Sequence, residues 1–82
     1  MAFKDSTDEK FQEQINGSKL NLIQFSASWC SPCQQLRPII EKISNAMADK
    51  IDCYYHDIES QPNEPTMYSV RGVPTVLLFK AG

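Results

Sequence analysis

Trp29-Cys30-Ser31-Pro32-Cys33 sets two thiols two residues apart in the stretch NLIQFSASWCSPCQQLRPIIEKI. Thiols at this spacing can share a metal ion, close a structural bridge, or move electron pairs by opening and closing a disulfide. The metal reading draws on two further residues, because Cys30, Cys33, Cys53 and His56 spell C-x2-C-x19-C-x2-H, the spacing of a three-cysteine, one-histidine zinc site. Only Tyr54 and Tyr55 separate the second pair, however, and a strand there would turn Cys53 and His56 to opposite faces. The redox reading fits the surroundings better. A helix beginning after Cys30 offers unpaired N–H groups that favour a thiolate, and Cys33, one turn in, is within reach of any mixed disulfide formed at Cys30. Pro32 stiffens the spacing between them. Trp29 offers either a flat apolar rim for a polypeptide substrate or a core aromatic.

The elements that must hold this pair are legible around it. Leu20 to Ala27 reads as a strand apolar on both faces, hence interior in its sheet. Leu36, Ile40, Ile43 and Met47, widened by Ile39 and Ala46, form the stripe of a helix over 31–48, with a kink expected at Pro38. Residues 51–58 read as the next strand, with Cys53 buried and inert and His56 partly exposed at its end. A short helix over 64–69 begins with Pro65 in its first turn, and Thr75 to Lys80 is a last strand. Ahead of all these, Ala2-Phe3-Lys4 suggests an edge strand. Ser6 and Glu9 have the spacing of a capping box for a helix over 7–16, whose apolar face is Phe11 and Ile15 and whose stop is Asn16-Gly17, with glycine in the left-handed conformation. Alternating strands and helices imply right-handed βαβ units, a mixed or parallel sheet and helices on both faces. In such sheets chemistry gathers where a strand's carboxyl end meets a helix's amino end, which is where Cys30 and Cys33 fall.

Composition narrows the function classes. The chain has 82 residues, 41% of them hydrophobic, which suits one domain spanning 1–82. With 8 basic and 10 acidic side chains scattered along it, there is no basic stripe for nucleic acid or an anionic membrane surface, so neither partner is expected. The opening residues lack the apolar run of a secretion signal, and three cysteines are too few for a disulfide scaffold. Both points lead to the cytoplasm as the expected compartment.

W-C-S-P-C, then Pro38, then D-I-E-S-Q-P, then Y-S-V-R-G-V-P-T-V-L-L-F-K-A-G together resemble the thioredoxin family over the whole chain after about residue 20. The resemblance implies an α/β three-layer fold, a central mixed sheet flanked by helices. It implies a thiol-disulfide oxidoreductase that reduces protein disulfides through mixed disulfides, with no cofactor beyond its own Cys30-Cys33 pair, no metal, and a thioredoxin-reductase-type flavoprotein to recycle it. Position by position, Cys30 matches the nucleophile and Cys33 the resolving cysteine, with Trp29, Ser31 and Pro32 around them. Pro74 matches the proline preceded by a cis peptide bond, and Val73 the residue whose backbone receives a substrate strand, with Gly72 allowing close approach. Ser31 stands where the family usually has glycine.

Two departures stand out. Six residues before the nucleophile the family has a buried aspartate that helps deprotonate the resolving cysteine; here that residue is Gln24, and the lysine that accompanies the aspartate in bacterial members is replaced by Tyr55. An amide and a phenol could hydrogen-bond to each other there, leaving Cys33 to lose its proton through water. The chain also stops at Lys80-Ala81-Gly82, where the family adds a strand and a closing helix, so the fold is expected to be truncated after the strand following the cis-proline. The bare edge of that strand is a place for a second copy to pair.

Overall fold

The computed structural model describes residues 3–68, 70 and 72–80; Ala2, Ser69, Arg71, Ala81 and Gly82, named above, lie outside them. The elements run β1 (Phe3–Ser6), α1 (Phe11–Ile15), β2 (Leu20–Ser26), α2 (Ser31–Ala46), β3 (Ile51–Asp57), α3 (Asn63–Met67) and β4 (Thr75–Lys80). They form a four-stranded sheet in the order β1-β3-β2-β4. β3 runs parallel to both β1 and β2, whereas β4 is antiparallel to β2, so the sheet is mixed and β2 is interior as its two apolar faces require.

The alternation of side chains along β2 divides the core. Ile23 and Phe25 point to one face, where they meet Phe11 and Ile15 of α1 and Tyr54 of β3, with Tyr68, Leu77 and Phe79 packed against them. Leu22, Gln24 and Ser26 point to the other, beneath α2, where Ala27, Cys30 and Cys33 form a second small cluster. Ile58 packs against both clusters and so couples them around the end of the sheet.

Several local expectations give way to tertiary contacts. Ser6 is no helix cap: it is the last residue of β1, buried, and its hydroxyl lies 2.9 Å from His56 Nδ1. Thr7 takes over at the following turn, where its Oγ1 accepts from the Lys10 backbone N–H, and α1 begins only at Phe11. Gly17 is not in the left-handed region; its small size matters because a Cβ there would come within 3.2 Å of Asn21 Oδ1. Asn21 needs that space, since its buried amide donates to the carbonyls of Ile15, Gly17 and Lys19. The stripe on α2 is narrower than its spacing suggested. Cys33, Ile40 and Ser44 are buried, Leu36 and Ile43 half-buried, but Ile39, Ala46 and Met47 are exposed because one sheet face covers only about one helix side. The helix runs unbroken through Pro38.

His56 also departs from expectation. It is fully buried rather than partly exposed, and its Nε2 donates to the Gln61 carbonyl at 2.8 Å. A carbonyl can only accept, so Nε2 carries a proton, and Nδ1 pairs with the Ser6 hydroxyl. Asp8 Oδ1 lies 3.3 Å from the same Nε2, and the Asp8 carboxylate accepts from the backbone N–H groups of Asn63 and Glu64. A carboxylate 55 and 56 residues distant in sequence thus satisfies the first donors of α3.

Candidate active site

β2 ends at Ser26, a tight turn follows, and α2 begins at Ser31 with Cys30 as its N-cap residue. The Cys30 N–H donates back to Ala27 O at 3.1 Å, which folds the turn under the helix start. Cys30 and Cys33 are joined in a disulfide, with their Cα atoms 5.2 Å apart. The Cys33 backbone N–H points at Cys30 Sγ, 3.3 Å away, as a cap donor would. Ser31 and Pro32 between them are exposed, and Pro32 occupies the first helical turn, where a missing N–H leaves nothing unpaired.

Around the pair, Trp29 is 67% exposed, so it is a surface rim and not a core aromatic. Val73 packs against the cluster of Ala27, Cys30 and Cys33, and the Val73-Pro74 peptide bond is cis, as the family resemblance implied. Pro74 and Gly72 are exposed, with open space where a Gly72 side chain would be, while Thr75 Oγ1 donates to the Gly72 carbonyl at 2.6 Å. Trp29 and Cys30 therefore come from the β2–α2 turn, Cys33 from the first turn of α2, and Gly72, Val73 and Pro74 from the approach to β4.

Gln24 and Tyr55 do not form the pair anticipated for them. Gln24 is fully buried, and its Nε2 donates to Cys33 O at 3.1 Å, tying the first turn of α2 to the sheet. Tyr55 instead joins its hydroxyl to Gln34 Nε2 at 3.2 Å and carries the Arg37 guanidinium 4.1 Å above its ring. They are register neighbours on β2 and β3, but each side chain finds its partner in α2, which lies over both.

Two residues not singled out from sequence also hold the site. Gln34 donates to Ala27 O as well as lying against Tyr55, so it clamps the turn from the helix side; its position four residues after Cys30, facing back along the first turn, was a signal that could have found it. Ile58 packs against the cluster of Ala27, Cys30 and Cys33 but sits 25 residues beyond Cys33, with no local pattern to mark it.

The four donors of the zinc reading are dispersed. Cys30 and Cys33 are bonded to each other, Cys53 is opposite Leu22 on the α2 face, and His56 is on the other face with Ser6 and Gln61. Among the described residues no three His, Cys, Asp or Glu side chains converge as a metal site. Burial pushes the Cys53 thiol above its ordinary range, and the neighbouring Asp52 charge adds to this. A raised folded value means the unfolded chain loses this proton first, from about pH 8.5 upward. Stability is therefore whole below that range and falls as pH rises through it toward the folded value. Urea unfolding of the oxidised protein between about pH 8 and 10 should show a steeper loss in the unsubstituted chain than in Cys53→Ala; equal slopes would refute the assignment.

The thioredoxin family profile matches residues 2–82. This chain is a member of the thioredoxin family. The thioredoxin of Acidithiobacillus ferridurans is 42% identical over 77 residues, covering 93% of this chain and 71% of that protein. The thioredoxin of Buchnera aphidicola is 45% identical over 74 residues, covering 89% of this chain and 68% of that protein. Among solved structures, thioredoxin from Malassezia sympodialis superposes with a TM-score of 0.87 at 34% identity, covering 96% of this chain and 70% of that one. A thioredoxin variant from Halobacterium salinarum gives 0.85 at 28% identity. The chain thus spans about 70% of the length of the thioredoxins it matches.

It is accordingly a dithiol-disulfide oxidoreductase with a Cys-Ser-Pro-Cys site, reducing protein disulfides through mixed disulfides. Thioredoxins work with their own redox-active cysteine pair, and the family's general partners are disulfide-bonded proteins and thioredoxin reductases. Among the described residues no helix is long and apolar enough to cross a membrane.

Proposed function

We propose that Cys30 is the attacking sulfur and Cys33 the resolving one, acting within a single domain over residues 1–82. The observation that supports this is the N-cap position of Cys30, with the Cys33 N–H aimed at its Sγ: in the reduced protein the same donor would stabilise a Cys30 thiolate. The thiolate attacks one sulfur of a substrate disulfide, the first substrate sulfur leaves as a thiol, and a mixed disulfide joins Cys30 to the other. Cys33 then attacks Cys30 Sγ, the second substrate sulfur departs with the bonding electron pair, and the internal disulfide closes. Two electrons pass to the substrate, and a reductase of the flavoprotein type returns them. Trp29 forms an apolar wall for the substrate chain, while the exposed edge at Gly72, Val73 and Pro74 receives its backbone by strand addition. Pro32 and Ser31 set the spacing of the sulfurs. With Cys53 free and buried, the protein suits a reducing compartment such as the cytoplasm.

Alkylation of the reduced protein near about pH 6 tests the assignment: Cys30 should be labelled at least about tenfold faster than Cys33 or Cys53. Equal labelling of the three would overturn it.

A second copy pairing along β4 is the assembly we propose. β4 pairs only with β2 among the described residues, and its outward side chains Val76 and Leu78 are 42% and 60% exposed. Sedimentation should show a concentration-dependent dimer that Leu78→Lys disperses; a monomer at every concentration sinks the proposal.

A further inference from the structure

The proton that Cys33 must lose finds no carboxylate at position 24. On that sheet face two buried polar atoms, Gln24 Oε1 and Ser26 Oγ, have no hydrogen-bond partner among the described residues, and both side chains are fully buried. They stand two residues apart on β2 and therefore share a face, which the bond from Gln24 Nε2 to Cys33 O places under the first turn of α2. Buried polar groups are ordinarily paired, so an unpaired hydroxyl here is a group free to form a bond during the reaction. Ser26 is in register with Asp57 on β3, which puts both side chains on one face of neighbouring strands about 4.8 Å apart. Asp57 in turn lines a pocket of about 260 Å³ with Asp5, Tyr55 and Ser60. Gln24 beneath the resolving cysteine, Ser26 and Asp57 thus share one sheet face, with Asp57 at the pocket.

We propose that Ser26 and Asp57 form the proton outlet of Cys33, doing in this chain what a carboxylate at position 24 would otherwise do. The proposal rests on the resolving role given to Cys33 above. As Cys33 turns to attack, its S–H proton passes to Ser26 Oγ while the Ser26 O–H proton passes to the Asp57 carboxylate. The Cys33 thiolate then forms the bond to Cys30 Sγ, the bond from Cys30 to the substrate sulfur breaks, and that sulfur leaves with the electron pair. Asp57 gives its proton to solvent through the pocket. Ser26 and Asp57 are relay residues and touch neither substrate sulfur. The titratable groups that line the same pocket as Asp57 are Asp5 from β1 and Tyr55 from β3; Arg37 of α2 lies over the Tyr55 ring, and the Glu59 backbone N–H donates to Asp57 Oδ1.

The reduced protein and a chromophoric aryl disulfide separate the steps, because one aryl thiolate appears when Cys30 attacks and a second when Cys33 resolves. Ser26→Ala and Asp57→Asn should each slow the second release about tenfold near neutral pH and leave the first unchanged. The deficit should close in alkaline solution, where the Cys33 thiol ionises unaided, and Ser26→Thr, which keeps a hydroxyl, should restore the rate. In a Gln24→Asp background both substitutions should lose their effect, since the new carboxylate takes the proton directly. Asp5→Asn removes the same charge from the same pocket and should leave both releases unchanged. A second release unaffected by Ser26→Ala and Asp57→Asn, slowed equally at every pH, or slowed as much by Asp5→Asn would overturn the relay. If the unsubstituted protein never gives the second thiolate, the resolving role of Cys33 fails instead, and the relay with it.

Discussion

Cys33→Ser should stall the protein on its first substrate. Cys30 keeps its N-cap position and still attacks, because the donor aimed at its Sγ is the backbone N–H of residue 33 and not that residue's side chain. No second thiol then stands within reach of Cys30, since Cys53, the remaining one, is buried on β3. The mixed disulfide accumulates, and steady-state reduction of a protein disulfide by dithiothreitol should gain from the variant less than about a thousandth of what it gains from the unsubstituted chain. Mass spectrometry should find the variant joined one-to-one to substrate through Cys30. Cys30→Ser should lose both turnover and the trapped adduct. Turnover by Cys33→Ser within a few fold of the unsubstituted chain would refute the two-sulfur assignment, because resolution would then need no internal thiol. Serine at position 33 is nearly isosteric and keeps the backbone bond to Gln24, so loss of folding is not the expected cause.

The contrast between Cys30 and Gln24 shows what the sequence could and could not tell. The cysteine pair, the strand before it and the helix after it are contiguous, so their chemistry follows from spacing and from the cap at one helix end. The approach to β4 was legible only through the family resemblance, since nothing in the pattern of Gly72-Val73-Pro74 says that it packs on cysteines forty residues earlier. Ser6 and His56 were misread for one reason. Each has a sound local role, a helix cap and a strand end, but β1 lies beside β3 in the sheet, and the hydrogen bond between them outweighs both. Gln24 bonds to Cys33 O and not to Tyr55, because register shows that two residues are neighbours but not what a helix laid across them will offer.

Phe11→Ala should have the largest effect on stability. Phe11 is fully buried at the start of α1. Its ring centroid lies 6.1 Å from Phe25, 5.5 Å from His56, 5.4 Å from Tyr68 and 5.9 Å from Phe79. It therefore joins β2, β3, β4 and the segment after α3 through one side chain. Truncation of such a ring costs about 3–5 kcal/mol, combining lost transfer energy with a cavity that four aromatic neighbours cannot collapse to fill. At roughly 0.05–0.15 kcal/mol per residue, a domain of this size has only about 4–12 kcal/mol in total. The variant should thus lose about a quarter or more of its stability, and its thermal midpoint should fall by at least about 12 °C, at about 4–8 °C per kcal/mol. Leu78→Ala, on an exposed side chain of β4, should cost under about 1 kcal/mol by the same measurement. Disulfide reduction should weaken along with stability in Phe11→Ala, although Phe11 touches neither cysteine, because Ile58 packs against the aromatic cluster on one side and the cysteine cluster on the other. A thermal midpoint within a few degrees of the unsubstituted protein would mean that the aromatic cluster is not what holds α1 to the sheet.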